Sequence, residues 1–163
     1  MKKVSKSGTQ TIASPVSKEC SLLFEFWVVQ QATYPLIESA IMHSGLSSPD
    51  ELGLYVLIDE YGSLTPGDIA RSSGMRPNTV SVALNRIDRR GHLVRTPNPH
   101  DRRSVFIELS DDGRLALYTA AASVRRLEDR IGALVDMGTS RDHLLEFQDA
   151  VRTLSNLPVR THP

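Results

Sequence analysis

The chain has 163 residues, 19 Lys and Arg against 19 Asp and Glu, and 40% hydrophobic residues; this suits one domain with extensions and is enough to bury a real core. No run approaches the ~20 apolar residues of a membrane-spanning helix, and the one cysteine, Cys20, excludes an intramolecular disulfide framework and fits a reducing cytosol. Met1-Lys2-Lys3 has no apolar stretch behind it, so no secretory signal is expected and the expected location is cytoplasmic.

Residues 1–16 are polar and read as a disordered tail. A long helix is predicted from Ser17 to Met42, with Leu22, Leu23, Phe26, Trp27, Tyr34, Ile37 and Ile41 at three-to-four spacing and Pro35 as a kink. Ser47-Ser48-Pro49-Asp50-Glu51 carries the signs of a helix start, with Leu52, Tyr55, Val56 and Ile58 as its apolar side and Gly62 as its end. Thr65-Pro66-Gly67-Asp68 opens a two-turn helix with a capping box, broken at Gly74. Arg76-Pro77-Asn78-Thr79 starts a fourth helix with Val80, Leu84 and Ile87 inward and Gly91 just past its end.

Two strands follow, 92–96 and 104–109, joined by the loop Pro97-Asn98-Pro99-His100-Asp101-Arg102-Arg103. Ser110-Asp111-Asp112-Gly113 caps a fifth helix, to about residue 136, with Leu115, Tyr118, Ala122, Leu127, Ile131 and Leu134 as its apolar side. Thr139, with Asp142 three residues on, opens a sixth helix with Leu145, Phe147, Val151 and Leu154. The predicted fold is mainly α with a small β-hairpin: a winged helix-turn-helix lobe at 47–112, a dimerisation helix at 17–46, dimerisation helices at 113–157 and a tail at 158–163.

The net charge of zero conceals a local excess. Residues 69–103 hold eight arginines (71, 76, 86, 89, 90, 95, 102 and 103) against Asp88 and Asp101, a local charge of +6. Arginine suits forked contacts with phosphate and guanine, and local charge makes the electrostatic footprint. In a helix-turn-helix the second helix enters the major groove. With Val80, Leu84 and Ile87 inward, the period leaves Asn78, Thr79, Ser81, Val82, Asn85 and Arg86 outward. Asn can bridge adenine, Arg can fork onto guanine, and a Val or Thr methyl can touch thymine. The unpaired amides at the helix start can bind a phosphate, and Arg76, Pro77 and Arg89 are further expected DNA-binding residues. Arg102 and Arg103 at the hairpin tip suit a narrow minor groove, with Asp101 positioning an arginine by an ion pair. A winged helix used only for protein contacts would expose aromatics or an apolar patch there.

There is no phosphate-binding glycine loop or nucleophile elbow, and the serines and acids are explained by capping, so no enzyme activity is expected. The five histidines show no i,i+3 or i,i+4 pair; neither a metal site nor a cofactor is expected.

Gly74-Met75-Arg76-Pro77-Asn78-Thr79-Val80-Ser81, Asn85-Arg86-Ile87, Arg90-Gly91-His92-Leu93-Val94-Arg95, Pro99-His100-Asp101-Arg102-Arg103-Ser104 and Leu109-Ser110-Asp111-Asp112-Gly113 together resemble the MarR family of multiple-antibiotic-resistance-type regulators. The resemblance covers about residues 20–156. It implies a homodimeric DNA-binding transcription regulator, in most members a repressor, on a palindromic operator with half-sites about one helical turn apart. It also implies a minor-groove role for Arg103 with Asp101 as its positioning partner; Arg86 matches a frequent family arginine, and Val82 stands where an arginine is common. Family members respond to small aromatic or anionic molecules or to oxidants. The residues that would line such a pocket are Trp27, Tyr34, His43, Tyr55 and Arg71, and Cys20, near the start of the first helix, is the candidate redox sensor.

Overall fold

The computed structural model describes residues 21–155. The two expected tails, the start of the first helix and Cys20 lie outside the described residues. The chain divides into two compact units, one ending at Pro35 and the other beginning at Leu36.

Helix α1, Ser21–Ile41, contains the division, with Pro35 inside it. Proline has no N–H to donate to the preceding turn. In the first unit the Phe24 and Trp27 rings stack at 5.9 Å, and Trp27 is 54% exposed.

The second unit holds the core. Helix α2, Pro49–Tyr61, starts where Ser48 accepts the Glu51 N–H at 3.2 Å and ends at Gly62, whose φ is 69°. Its buried stripe is Leu54, Tyr55, Leu57 and Ile58, whereas Val56 is exposed. The expected set of Leu52, Tyr55, Val56 and Ile58 is thus corrected: Val56 lies some 200° around the helix from Leu54. Helix α3, Pro66–Ser73, has its full capping box, Thr65 Oγ1 accepting the Asp68 N–H and Asp68 accepting the Thr65 N–H. The Thr65 hydroxyl, first among its partners, holds the Asp68 carboxyl below its ordinary value. Gly74, left-handed at φ 71°, turns the chain into helix α4, Pro77–Arg89. Val80, Ala83, Leu84 and Ile87 bury its inner face.

Strands β1 (Leu93–Pro97) and β2 (Val105–Leu109) pair antiparallel, Leu93 opposite Leu109 and Pro97 opposite Val105. Leu64 bridges Ile107 on the outer edge of β2, so the turn before α3 is tied to the hairpin. Ile41, Leu54, Tyr55, Ile58, Ile69, Val80, Leu84, Ile87 and Ile107 form the centre of the core.

Helix α5, Asp111–Gly132, starts at Ser110. It turns Gly113, Ala116, Leu117 and Ala120 into the lobe and leaves Leu115 and Tyr118 exposed. The expected stripe of Leu115, Tyr118, Ala122, Leu127, Ile131 and Leu134 is therefore not the one this lobe buries; the helix carries a second stripe, of small residues, and the lobe uses that. Helix α6, Met137–Ser155, begins two residues before the expected Thr139. Its first turn is held by Asp136, which accepts from the Gly138 N–H at 3.0 Å and the Thr139 hydroxyl at 2.8 Å. This replaces the expected Thr139–Asp142 box, and the Thr139 hydroxyl holds the Asp136 carboxyl below its usual range.

Candidate nucleic-acid interface

The outer face of α4 is the first part of the site. Arg76, Pro77, Asn78, Thr79, Ser81, Val82, Asn85, Arg86 and Arg89 are all exposed. Arg76 is the N-cap residue and its side chain makes no capping bond, so the first amides of α4 remain open to an anion.

The loop between β1 and β2 is shaped by its own polar side chains. The Asn98 amide donates to Ser104 Oγ at 2.8 Å, and its carbonyl oxygen accepts the His100 N–H at 2.9 Å. Asp101 Oδ1 accepts the Arg103 N–H at 2.9 Å, and the Asp101 carbonyl accepts from the Ser104 N–H at 3.0 Å. The expected ion pair between Asp101 and an arginine is absent among the described residues. The carboxylate folds back on the backbone two residues on, a short-range bond that an Asp side chain makes more readily than it reaches a long guanidinium. Arg102 and Arg103 stand exposed at the tip.

The eight arginines divide into two sets. Arg71 pairs with Asp68 one turn back. Arg95 on β1 pairs with Asp88 on α4 at 3.0 Å and reaches the Asn85 side-chain oxygen at 3.5 Å. Arg90 pairs with Glu51 on α2 at 2.6 Å. The other five, Arg76, Arg86, Arg89, Arg102 and Arg103, enter no ion pair among the described residues. Three arginines thus brace the lobe, and five are left on the α4 face and at the hairpin tip.

Arg90 belongs to a polar cluster under the C-terminal end of α4. Its guanidinium donates to Glu51 Oε2, to Ser47 Oγ at 2.9 Å and to the Tyr55 hydroxyl at 3.4 Å. Glu51 Oε2 also accepts the Ser47 N–H at 3.0 Å. The Tyr55 oxygen lies 2.7 Å from His92 Nδ1. Because that oxygen already accepts from Arg90, its proton points to Nδ1, which sets His92 as the neutral ring with its proton on Nε2. Burial, with Arg90 beside it, pushes the His92 pKa below its ordinary value, and burial raises that of Tyr55.

The comparisons with known proteins agree with this geometry. The sequence model of the MarR family matches residues 44–104, from before α2 to the hairpin tip. The solved repressor CouR, bound to a 23-mer DNA duplex, is 25% identical, with a TM-score of 0.74 over 88% of this chain and 99% of that one. Over residues 44–104 the chain is similar to the MarR family. Two curated relatives of the chain are from Bacillus subtilis (strain 168). The uncharacterised HTH-type transcriptional regulator YwhA is 38% identical over 73 residues, which span 45% of this chain and about half of that protein, 52%. The HTH-type transcriptional repressor MdtR is 26% identical over 113 residues, 67% of this chain and 72% of that one.

The pocket residues expected by analogy with the MarR family fall in both units. Tyr55 is wholly buried, its hydroxyl committed to His92 and Arg90. His43 and Arg71 are exposed, Arg71 being tied to Asp68. Trp27 and Tyr34 belong to the first unit, Trp27 exposed and Tyr34 half-buried. A cleft of about 470 Å³ in the second unit is lined by Ile37, Leu52, Val56, Leu57, Met75 and Arg152, among others. The Glu51–Arg90–His92 cluster was missed from the sequence because each member had a simpler reading: Glu51 as a helix-start acid, Arg90 as one more arginine of the basic stretch, His92 as the first strand residue.

Proposed function

We propose that this chain is a sequence-specific regulator of transcription that binds duplex DNA as a homodimer on a palindromic operator, acting as a repressor. The observation that carries this reading is the set of five arginines in no ion pair among the described residues, around an exposed face of Asn78, Thr79, Ser81, Val82 and Asn85. These are phosphate-binding and base-reading residues on one helix and one hairpin tip. The exposed apolar side chains of α1 (Leu22, Leu23, Phe24, Phe26 and Trp27) and, separately, Leu134, Leu144 and Leu154 support a partner copy of the chain, since a lone soluble chain rarely leaves so many large apolar side chains in water. A small aromatic or anionic effector fits the cleft beside Met75, which combines apolar lining with Arg152; its occupancy would be felt next to the start of α4.

The test is fluorescence anisotropy of the full chain against the intergenic duplex upstream of its own gene, at two salt concentrations, with a scrambled duplex as competitor. A preference of ~10³-fold or more for the specific duplex supports the reading; equal, salt-sensitive binding to both leaves only a basic patch and overturns it.

Two substitutions sort the contacts. Arg103→Ala should weaken specific binding about tenfold or more, most on operators with A·T steps under the hairpin tip; unchanged affinity removes the tip from the interface. Arg86→Ala should lower affinity by ~1–3 kcal/mol and relax preference at one base pair. A loss uniform over all single-base operator variants assigns Arg86 to phosphate instead.

A further inference from the structure

We infer that Ser47, Glu51, Tyr55, Arg90 and His92 form a proton-sensitive clamp that sets helix α4 against the hairpin, so that proton uptake by His92 weakens duplex binding. This rests on the DNA-binding reading above.

Placement comes first. Arg90 caps the C-terminus of α4, and His92 immediately precedes β1. Gly91, at φ 74°, is the whole connection between them. Both side chains are anchored on one turn of α2, Arg90 through Glu51 and His92 through Tyr55. The angle between the base-reading helix and the hairpin is therefore set by side-chain bonds to α2 as well as by the short backbone link. The cluster touches no part of the exposed α4 face, so these are positioning residues acting through α4 and the hairpin.

The charges give the sign. Glu51 is buried and carries one negative charge against one positive charge on Arg90; its side chain is 2% exposed and that of Arg90 26%. The groups facing His92 are Tyr55 and Glu51 from α2, Arg90 from the end of α4 and Asp112 from the start of α5. The two acids favour a protonated ring; burial and Arg90 oppose it, and the opposing pair prevails. A protonated His92 would present Nδ1–H to a Tyr55 oxygen that already accepts from Arg90. Two cations would then share one phenol oxygen, and the Tyr55 proton would lose its acceptor. The closed clamp thus binds a proton less well than an opened one, so acid shifts the lobe toward the opened arrangement.

The sign runs against ordinary electrostatics. Protonating exposed histidines of a DNA-binding protein adds positive charge and tightens its hold on duplex. The clamp gives the reverse: specific affinity present above pH 6.5 and lost as pH falls below it.

The experiment measures specific duplex affinity of the full chain from pH 7.5 to 5.0 at constant ionic strength, for the wild type, His92→Asn and Tyr55→Phe. Asn places Oδ1 where Nδ1 stood and cannot take the proton. The wild type should lose severalfold in specific affinity over this range, since acid favours the arrangement in which His92 is protonated. His92→Asn should match the wild type at pH 7.5 and hold its affinity in acid. Tyr55→Phe should bind more weakly at pH 7.5, because His92 has lost its anchor on α2, and should lose less of its remaining affinity in acid, because a protonated ring no longer meets the phenol oxygen. Specific binding at pH 7.5 that is equally tight or tighter at pH 5.0 overturns the clamp alone, as does an acid loss of the same size in His92→Asn. Absence of specific binding at pH 7.5 overturns the regulator reading and the clamp with it.

Discussion

Arg90→Met should destabilise the protein by about 3 kcal/mol, read as a lowered urea midpoint at pH 7. The substitution leaves Glu51 in place, buried at the start of α2 with only the Ser47 N–H and the helix N-terminus to balance its charge. Removing one partner of a buried ion pair costs about 3–5 kcal/mol; the lower end applies here because the Arg90 side chain is a quarter exposed and water can follow it in. Neither partner is fully satisfied even now, since Glu51 Oε1 and Arg90 Nε are buried without a hydrogen bond. The double variant Glu51→Leu with Arg90→Met should therefore recover most of the loss, as apolar replacements of buried pairs often do. A single variant that costs under ~1 kcal/mol would place Glu51 in the class of exposed surface pairs and contradict its burial.

Gly113→Ala should cost on the order of 3 kcal/mol, against the grain of helix propensity. Gly113 lies in the first turn of α5, where Ala would ordinarily gain up to ~1 kcal/mol. A Cβ there would collide with the His92 carbonyl oxygen and stand 3.1 Å from its carbon. That carbonyl is fixed because it accepts the Ser110 N–H at 3.0 Å, and Ser110 Oγ both accepts the Gly113 N–H at 3.1 Å and donates to the Gly91 carbonyl at 2.7 Å. The clash is with backbone at a three-element joint, so the relief available to an overpacked side chain, ordinarily 1–3 kcal/mol of strain, falls at its upper end. For a chain of this size the melting temperature should drop by roughly 6–12 °C. A Gly113→Ala protein as stable as the parent would show that α5 does not begin against the His92 carbonyl.

The two variants show how differently the same joint could be read in the sequence. Ser110 and Gly113 were legible as a helix start because capping is local: Ser110 reaches Gly113 three residues on. The close approach of His92 that makes Gly113 obligatory was not, because it joins residues 21 apart. The capping box at Thr65–Asp68, the turn at Gly74 and the inward stripe of Val80, Leu84 and Ile87 were legible for the same local reason. The start of α6 was misplaced by two residues because Thr139 and Asp136 offer competing caps, and only the backbone geometry decides between them.

The sequence by itself determined the order of elements, the exposed polar face of α4 and the concentration of arginine around it, since these follow from period, capping and local charge. Only the tertiary structure decided which arginines are free to meet a ligand. Arg71, Arg90 and Arg95 look the same as Arg76, Arg86, Arg89, Arg102 and Arg103 in a list of charges, yet the first three are held by Asp68, Glu51 and Asp88. It also decided that the α5 face toward the lobe is Gly113, Ala116 and Ala120 around the single larger Leu117, rather than the bulkier stripe, because at a crowded joint small side chains allow the close approach that large ones forbid. The Arg90 and His92 contacts span 35 to 43 residues of chain, and no periodicity reports a bond of that reach: it exists only once the apolar faces of α2 and α4 have packed and set the polar groups between them.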